Sequence, residues 1–242
     1  MTQSVYLSLV CFNEEEGIEE FFKEICSFLM DEHFKILIID DCSRDATSAI
    51  LKRLREAHSC LEVSTNPKNL GHGPSTLIGL HAAISSEAEY ILTIDGDGQF
   101  FGGDIANALR FMRDSEQDIL EGVRNGRTEP LFRKFVTFMT RILVLLKSGS
   151  FPADANTPFR VYRRDALAKM IPKVTIGSLI PNLEVSIWSR RMKLSIKEYP
   201  VRSRVRRGSA STGTTWQNKR EFLPSSRFLM FCKKAFKTII VI

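Results

Sequence analysis

Residues 90–99, Tyr90-Ile91-Leu92-Thr93-Ile94-Asp95-Gly96-Asp97-Gly98-Gln99, form an apolar run that stops at two carboxylates. The run is too short for a helix and is bounded by glycine, which predicts a strand buried on both faces, as in a parallel sheet. Working outward, the same design recurs. Lys35–Asp40 (KILIID) runs into Asp41-Cys42-Ser43-Arg44-Asp45, and Val5–Val10 is followed by Asn13-Glu14-Glu15-Glu16. A weaker strand, Leu61–Thr65, precedes Asn69-Leu70-Gly71-His72-Gly73. Between these strands, apolar residues recur at helical spacing: Ile18, Phe21, Phe22, Ile25, Phe28 and Leu29, then Ile50, Leu51, Leu54 and Ala57. Pro74 suits the first turn of a helix running to Ile84. Ile105, Ala108, Leu109 and Met112 mark a further helix, before a short strand at Asp118–Gly122. Strand and helix in alternation predict an α/β domain with a mainly parallel sheet flanked by helices.

The pattern changes after Gly122. Residues 130–147 predict one long helix that is apolar on more than one side, and burial between two layers is favoured over a lipid-facing position. A strand at Phe159–Arg163, helices at Asp165–Ile171 and Pro181–Arg191, and a strand at Ser195–Val201 follow. Residues 208–218 read as a Gly/Ser/Thr-rich loop. Ser226–Ile242 is amphipathic if helical, with Arg227, Lys233, Lys234 and Lys237 on the polar face, and predicts an element lying on a membrane surface.

The 242 residues carry a net charge of +6, with 43% hydrophobic and 26% charged side chains, which excludes a disordered chain or a disulfide scaffold. The charge is uneven. Acids outnumber bases up to residue 189, whereas from Arg190 onward fourteen basic residues face only Glu198 and Glu221. A basic end on an acidic body suggests an anionic partner there. The five cysteines form no CxxC pair and read as reduced thiols of a cytosolic protein. No signal-peptide pattern is visible, and no apolar stretch reaches the ~20 residues needed to cross a bilayer.

Ligands of open α/β sheets bind at the carboxyl ends of the strands, where these polar clusters fall. With Gly96 permitting a turn, Asp95 and Asp97 can converge on one point, and such hard oxygen ligands suit Mg²⁺ or Mn²⁺ bridging to phosphate oxygens. Asp40 or Asp41 could hydrogen-bond a base edge or a ribose. An Asp-x-Asp alone is usually a turn; four polar strand ends in succession are harder to dismiss.

The ordered set VCFNEEE (10–16), IIDDCSRDAT (38–47), NLGHGPSTLIGLHAA (69–83) and ILTIDGDGQF (91–100) resembles the family-2 glycosyltransferases of the GT-A fold. Within them it is most similar to the polyprenyl- and dolichyl-phosphate sugar synthases. The resemblance continues through EGVRNGR (121–127), DANTPFRVYRRDAL (154–167), IPNLEVSI (180–187) and YPVRSRVRRGSAS (199–211). It implies a GT-A, Rossmann-like domain over 1–211, with a nucleotide-sugar half of about 1–122, an acceptor half of about 123–211, and a basic amphipathic tail at 212–242. It implies donor contacts from Asn13, Glu14, Asp40, Asp41, Asp95 and Arg124, and a catalytic set of Asp95, Asp97, Gln99, Asp154 and Arg160. Asp95 and Asp97 would hold the metal. Arg160, Arg204, Arg206 and Arg207 would bind acceptor or leaving-group phosphate. Departures are Val10 and Phe12, where the first motif usually has Pro and Tyr, and the lack of the transmembrane helices that members often carry.

The implied reaction is inverting transfer of a sugar from a UDP- or GDP-linked donor to a polyprenyl phosphate, on the cytoplasmic face of a membrane. Transfer to a sugar hydroxyl is the alternative, with Asp154 or Glu184 as base; a non-catalytic nucleotide-binding module is a weaker one. The acidic body and the absence of a helix-turn-helix, RNP or zinc-ligand pattern speak against nucleic acid. The oligomeric state is not legible, and no GxGxxG follows the first strand, which disfavours a Rossmann dehydrogenase.

Overall fold

Each central strand is covered on both faces, which is why its sequence is a continuous apolar run rather than an alternating one. The computed structural model describes residues 4–125, 131–207 and Thr238. The expected loop at 208–218 and, apart from Thr238, the tail at 212–242 lie outside the described residues.

The elements follow in the order β1 (Val5–Cys11), α1 (Ile18–Phe28), β2 (Phe34–Asp40), α2 (Thr47–Ala57), β3 (Leu61–Thr65), α3 (His72–Ile84), β4 (Tyr90–Asp95), α4 (Gly102–Arg113), β5 (Ile119–Asn125), α5 (Leu131–Ser148), β6 (Arg160–Arg163), α6 (Arg164–Met170), α7 (Pro181–Arg191) and β7 (Ile196–Arg202). A short 3-10 turn, Ile171–Lys173, joins α6 to the segment before α7. The strands form one seven-stranded sheet in the order β3-β2-β1-β4-β6-β5-β7. All pairings are parallel except those of β6, which lies antiparallel between β4 and β5. The sheet and its flanking helices are the GT-A, Rossmann-like architecture expected from the sequence.

Two apolar layers sandwich the sheet. On one face α1, α2 and α4 pack through Phe21, Phe22, Ile25, Leu51, Leu54, Ile105 and Met112. On the other, α3, α6 and α7 pack through Leu77, Leu80, Leu167, Met170 and Val185. The second layer sits close: a Cβ at Gly79 of α3 would lie 1.9 Å from Ser8 Oγ and 3.2 Å from Ser8 Cβ of β1, so any larger residue there would have to displace the Ser8 side chain.

The helix α5 departs from expectation. Val144 is fully buried with Ile180, Leu183 and Ile187, yet Phe135, Phe138, Met139, Leu145 and Leu146 are exposed. It is covered on one side only, not between two layers, because α7 is the one described helix against it with more than marginal contact. No described helix is long and apolar enough to cross a membrane.

The strand order reverses direction around β1: β2 lies on one side and β4 on the other. A crevice at the carboxyl ends of β1 and β4 is therefore the position the topology offers a ligand.

Candidate active site

Three strand ends converge at that crevice. Cys11 pairs with Asp40 and Val10 with Asp95, so the acidic ends of β2 and β4 bracket the end of β1. The chain then turns at Gly96, whose N–H donates to Val10 O at 2.8 Å. A Cβ at Gly96 would meet Cys11 Cβ and Val10 O, both at 3.0 Å, so the turn passes directly over β1. Asn13 and Cys42, just past β1 and β2, both have positive φ (54° and 62°), an uncommon backbone state concentrated here at the ligand-facing end of the sheet.

Asp97 Oδ1 accepts from Gln99 N at 3.1 Å. Burial first, and the neighbouring Asp95 second, push the Asp97 carboxyl up to about 6. Asp95 Oδ1 is buried with no hydrogen-bond partner among the described residues; the cation-forming group beside it is His72, with Nε2 at 3.5 Å. Two adjacent carboxylates, Asp97 with its charge penalised by burial and by its neighbour and Asp95 with an orphaned buried oxygen, fit a divalent cation. No group of three or more protein ligands occurs among the described residues. A cation held by Asp95 and Asp97 would therefore draw its other ligands from water and phosphate, the usual arrangement for Mg²⁺ at phosphate sites.

Glu14 faces the same point. Burial pushes its carboxyl up to about 8, against the downward pull of the Arg206 guanidinium that it pairs with; Asp97 and Asp95 add to the rise. The segment after β7 brings Arg206 there by crossing the Asp97–Phe100 loop. Arg204 N donates to Gln99 O and Arg207 N to Asp97 O. The Arg204 side chain donates to Gly98 O at 2.7 Å and to Glu24 at 2.6 Å, and Arg207 pairs with Glu20 and Glu24. The structure thus gathers Glu14, Asp95, Asp97, Gln99, Arg204, Arg206 and Arg207 around one loop.

Other expected residues have different surroundings. Asp40 accepts from Ser43 and Ser48, and Asn13 accepts from Arg44 N at 2.8 Å, so both shape the loop after β2. Asp41 is buried and accepts from Asn66, Ser75, Leu70 N and Gly71 N. Arg124 forms a two-pronged pair with Asp154 (2.7 and 3.0 Å) at the end of β5. Arg160 is fully buried; it donates to Asn182 and to Ala155 O, and its Nε lies 3.4 Å from Glu121. Thr93, Arg160 and Glu121 are register partners across β4, β6 and β5, so Arg160 reaches α7 through the sheet rather than the crevice.

Sequence reasoning did not single out His72, Glu20 or Glu24. The Gly71-His72-Gly73 loop at a strand end was visible, but not that the start of α3 lies against Asp95. Glu24 sits on the polar side of an ordinary amphipathic helix, and nothing in its spacing marks it as an arginine partner.

Comparison with known proteins gives the family and the fold. The family model described as "Glycosyl transferase family 2" matches residues 7–171. A UDP-N-acetylglucosamine–dolichyl-phosphate N-acetylglucosaminyltransferase of Methanococcus voltae is 25% identical over 228 residues, covering 87% of this chain and 89% of that protein. A dolichyl-phosphate beta-glucosyltransferase of Trichomonas vaginalis is 25% identical over 82% of this chain and 65% of its own length. In fold, the chain is similar to glucosyl-3-phosphoglycerate synthase from Mycobacterium tuberculosis, solved with Mn²⁺, uridine diphosphate and glucosyl-3-phosphoglycerate. That likeness has a TM-score of 0.69 at 14% identity over 99% of this chain and 79% of that one.

Proposed function

Because the chain belongs to glycosyl transferase family 2 and is a glycosyltransferase, we propose that it moves a sugar from a nucleoside diphosphate to the phosphate of a polyprenyl or dolichyl lipid, with inversion at the anomeric carbon. UDP is the first nucleotide to test, since both the Methanococcus relative and the Mycobacterium structure carry it in their names; GDP is the second. The reaction belongs on the cytoplasmic face of a membrane, with 1–211 as the catalytic domain and 212–242 as a basic tail.

The observation that carries the choice of acceptor is the state of the carboxylates. A sugar hydroxyl must lose a proton and needs a base near it. Glu184, one candidate, is wholly buried and accepts from Thr175 N at 2.7 Å and from Ser178. Asp154, the other, is tied to Arg124. A phosphate monoester has its second pKa near about 6, so it is largely dianionic at neutral pH and needs no base. It needs cations to position it, and arginines are what the acceptor half and the segment after β7 supply.

In this mechanism Arg204, Arg206 and Arg207 hold phosphate oxygens beside the Asp97 loop, exchanging their present carboxylate partners for the ligand. Arg124, oriented by Asp154, faces the acceptor side. Asn13, Asp40 and Asp41 set the loops that receive the nucleoside, and Arg160 positions β6 and α7 from within. Asp95 and Asp97 would hold Mg²⁺ or Mn²⁺, which when bound supplies charge neutralisation for the departing diphosphate. An acceptor phosphate oxygen attacks the anomeric carbon, the bond from that carbon to the diphosphate oxygen breaks, and the nucleoside diphosphate leaves. To test this, the protein is incubated with membranes and a panel of labelled UDP- and GDP-sugars, with and without EDTA. Metal-dependent label in the lipid extract is expected; label confined to water-soluble or hydroxyl-linked products overturns the reading.

A further inference from the structure

Five large apolar side chains stand exposed on α5: Phe135 (59%), Phe138 (49%), Met139 (39%), Leu145 (38%) and Leu146 (75%). At 3.6 residues per turn they fall, together with the half-buried Ile142, within roughly a third of the helix circumference. Val144, buried against α7, lies on the opposite side. This is one outward stripe, not scattered exposure, and in a water-soluble setting such a continuous patch marks an interaction surface. Phe151, just past the helix, extends it: its ring meets Phe138 edge-on at 6.4 Å, and Arg141 lies 4.1 Å over it.

We infer that this face of α5, with Phe151, rests in the interfacial layer of an anionic lipid bilayer. Three observations select a lipid surface. The helix carries Lys134 and Arg141 along one edge of the stripe and no acidic residue anywhere in Leu131–Ser148, the charge pattern of a helix that meets anionic headgroups. It is too short in apolar length to cross. And the stripe leads into the acceptor half: three residues beyond Phe151 stands Asp154, which pairs with Arg124. Preferring a membrane to a second copy of the chain rests on the lipid-phosphate reading above, since a lipid acceptor presents its phosphate at the depth where such a helix lies.

Vesicle sedimentation tests this without turnover. The 242-residue protein is mixed with vesicles of phosphatidylcholine, alone or mixed with phosphatidylglycerol, and compared with Phe138→Ser/Leu146→Ser and Lys134→Glu. Replacing two large apolar contacts should lower partition to both vesicle types about tenfold or more. The charge reversal should lower partition to the anionic vesicles alone, and it keeps the test valid should the apolar variant fold poorly. Both should keep wild-type transfer to a short-chain, water-soluble lipid phosphate. Unchanged partition in both variants overturns the inference. So does a wild-type dimer that the apolar substitutions dissociate with no change in vesicle binding, since a second copy would then cover the face. Intact vesicle binding with no transfer to any lipid phosphate overturns the acceptor reading instead.

Discussion

Asp41 accepts hydrogen bonds from four donors, Asn66, Ser75, Leu70 N and Gly71 N, whereas Asp97 accepts one, from Gln99 N. The two aspartates look alike in sequence, each just past the acidic end of an apolar run, but their surroundings separate them. Asp41 is a scaffold for the loop before α3. Asp41→Ala strands four donors, two of them backbone, and should cost on the order of 3 kcal/mol or more, read as a lower urea midpoint. Asp97 sits in a place that penalises its charge, so its carboxylate is kept for something other than stability. Asp97→Asn should leave the unfolding midpoint unchanged or higher while lowering transfer by about 10² to 10³; near-normal transfer would remove Asp97 from the reaction. The sequence showed that both were candidates. It could not divide them, because the donors to Asp41 come from the loop after β3 and the start of α3, up to 34 positions away.

At the scale of elements, the parallel half of the sheet was legible because buried strands leave unbroken apolar runs. The antiparallel insertion of β6 was not, since β6 has only four residues and pairing direction leaves no trace in so short a pattern. Nor was the one-sided burial of α5: periodicity reports which side chains are apolar, not which of them a neighbour covers. The segment after β7 shows the opposite case, where a cluster of arginines read as phosphate-binding is found beside the acidic loop. Replacing Arg204 and Arg206 with Ala should reduce kcat/KM on a short-chain lipid phosphate by about 10² or more, since two charge-assisted contacts at the low end of about 1.5 kcal/mol each already total about 3 kcal/mol. A change in membrane retention alone would contradict that role. Elsewhere α4 is fastened by Arg113 to Glu32, whose carboxyl is held below its ordinary value of 4.5 chiefly by that hydrogen bond. A lowered folded-state pKa gives stability that is present above about pH 4.5 and lost as pH falls through the lower folded value. Glu32→Gln should therefore cost less than ~1 kcal/mol near neutral pH, since the pair is partly exposed, and progressively less as pH falls below about 4.5. A loss that did not shrink as pH falls would show that the carboxylate charge is not what fastens α4.

Over the whole molecule, the charge split seen in the sequence becomes a spatial arrangement. Acidic groups of β1, α1 and β4 line the crevice, and the basic segment after β7 folds back onto them, Arg206 to Glu14 and Arg207 to Glu20 and Glu24. In the proposed mechanism this counter-charge would let the acidic site receive a diphosphate and a second phosphate. The central claim is that the second phosphate belongs to the acceptor. It is tested most directly by offering the enzyme, with its nucleotide-sugar and a divalent cation, the same prenyl lipid in two forms, one ending in phosphate and one in the free alcohol. The account predicts transfer to the lipid phosphate and none to the alcohol. Comparable transfer to the alcohol would contradict it, because a hydroxyl acceptor needs a base that Glu184 and Asp154, as they stand, do not provide.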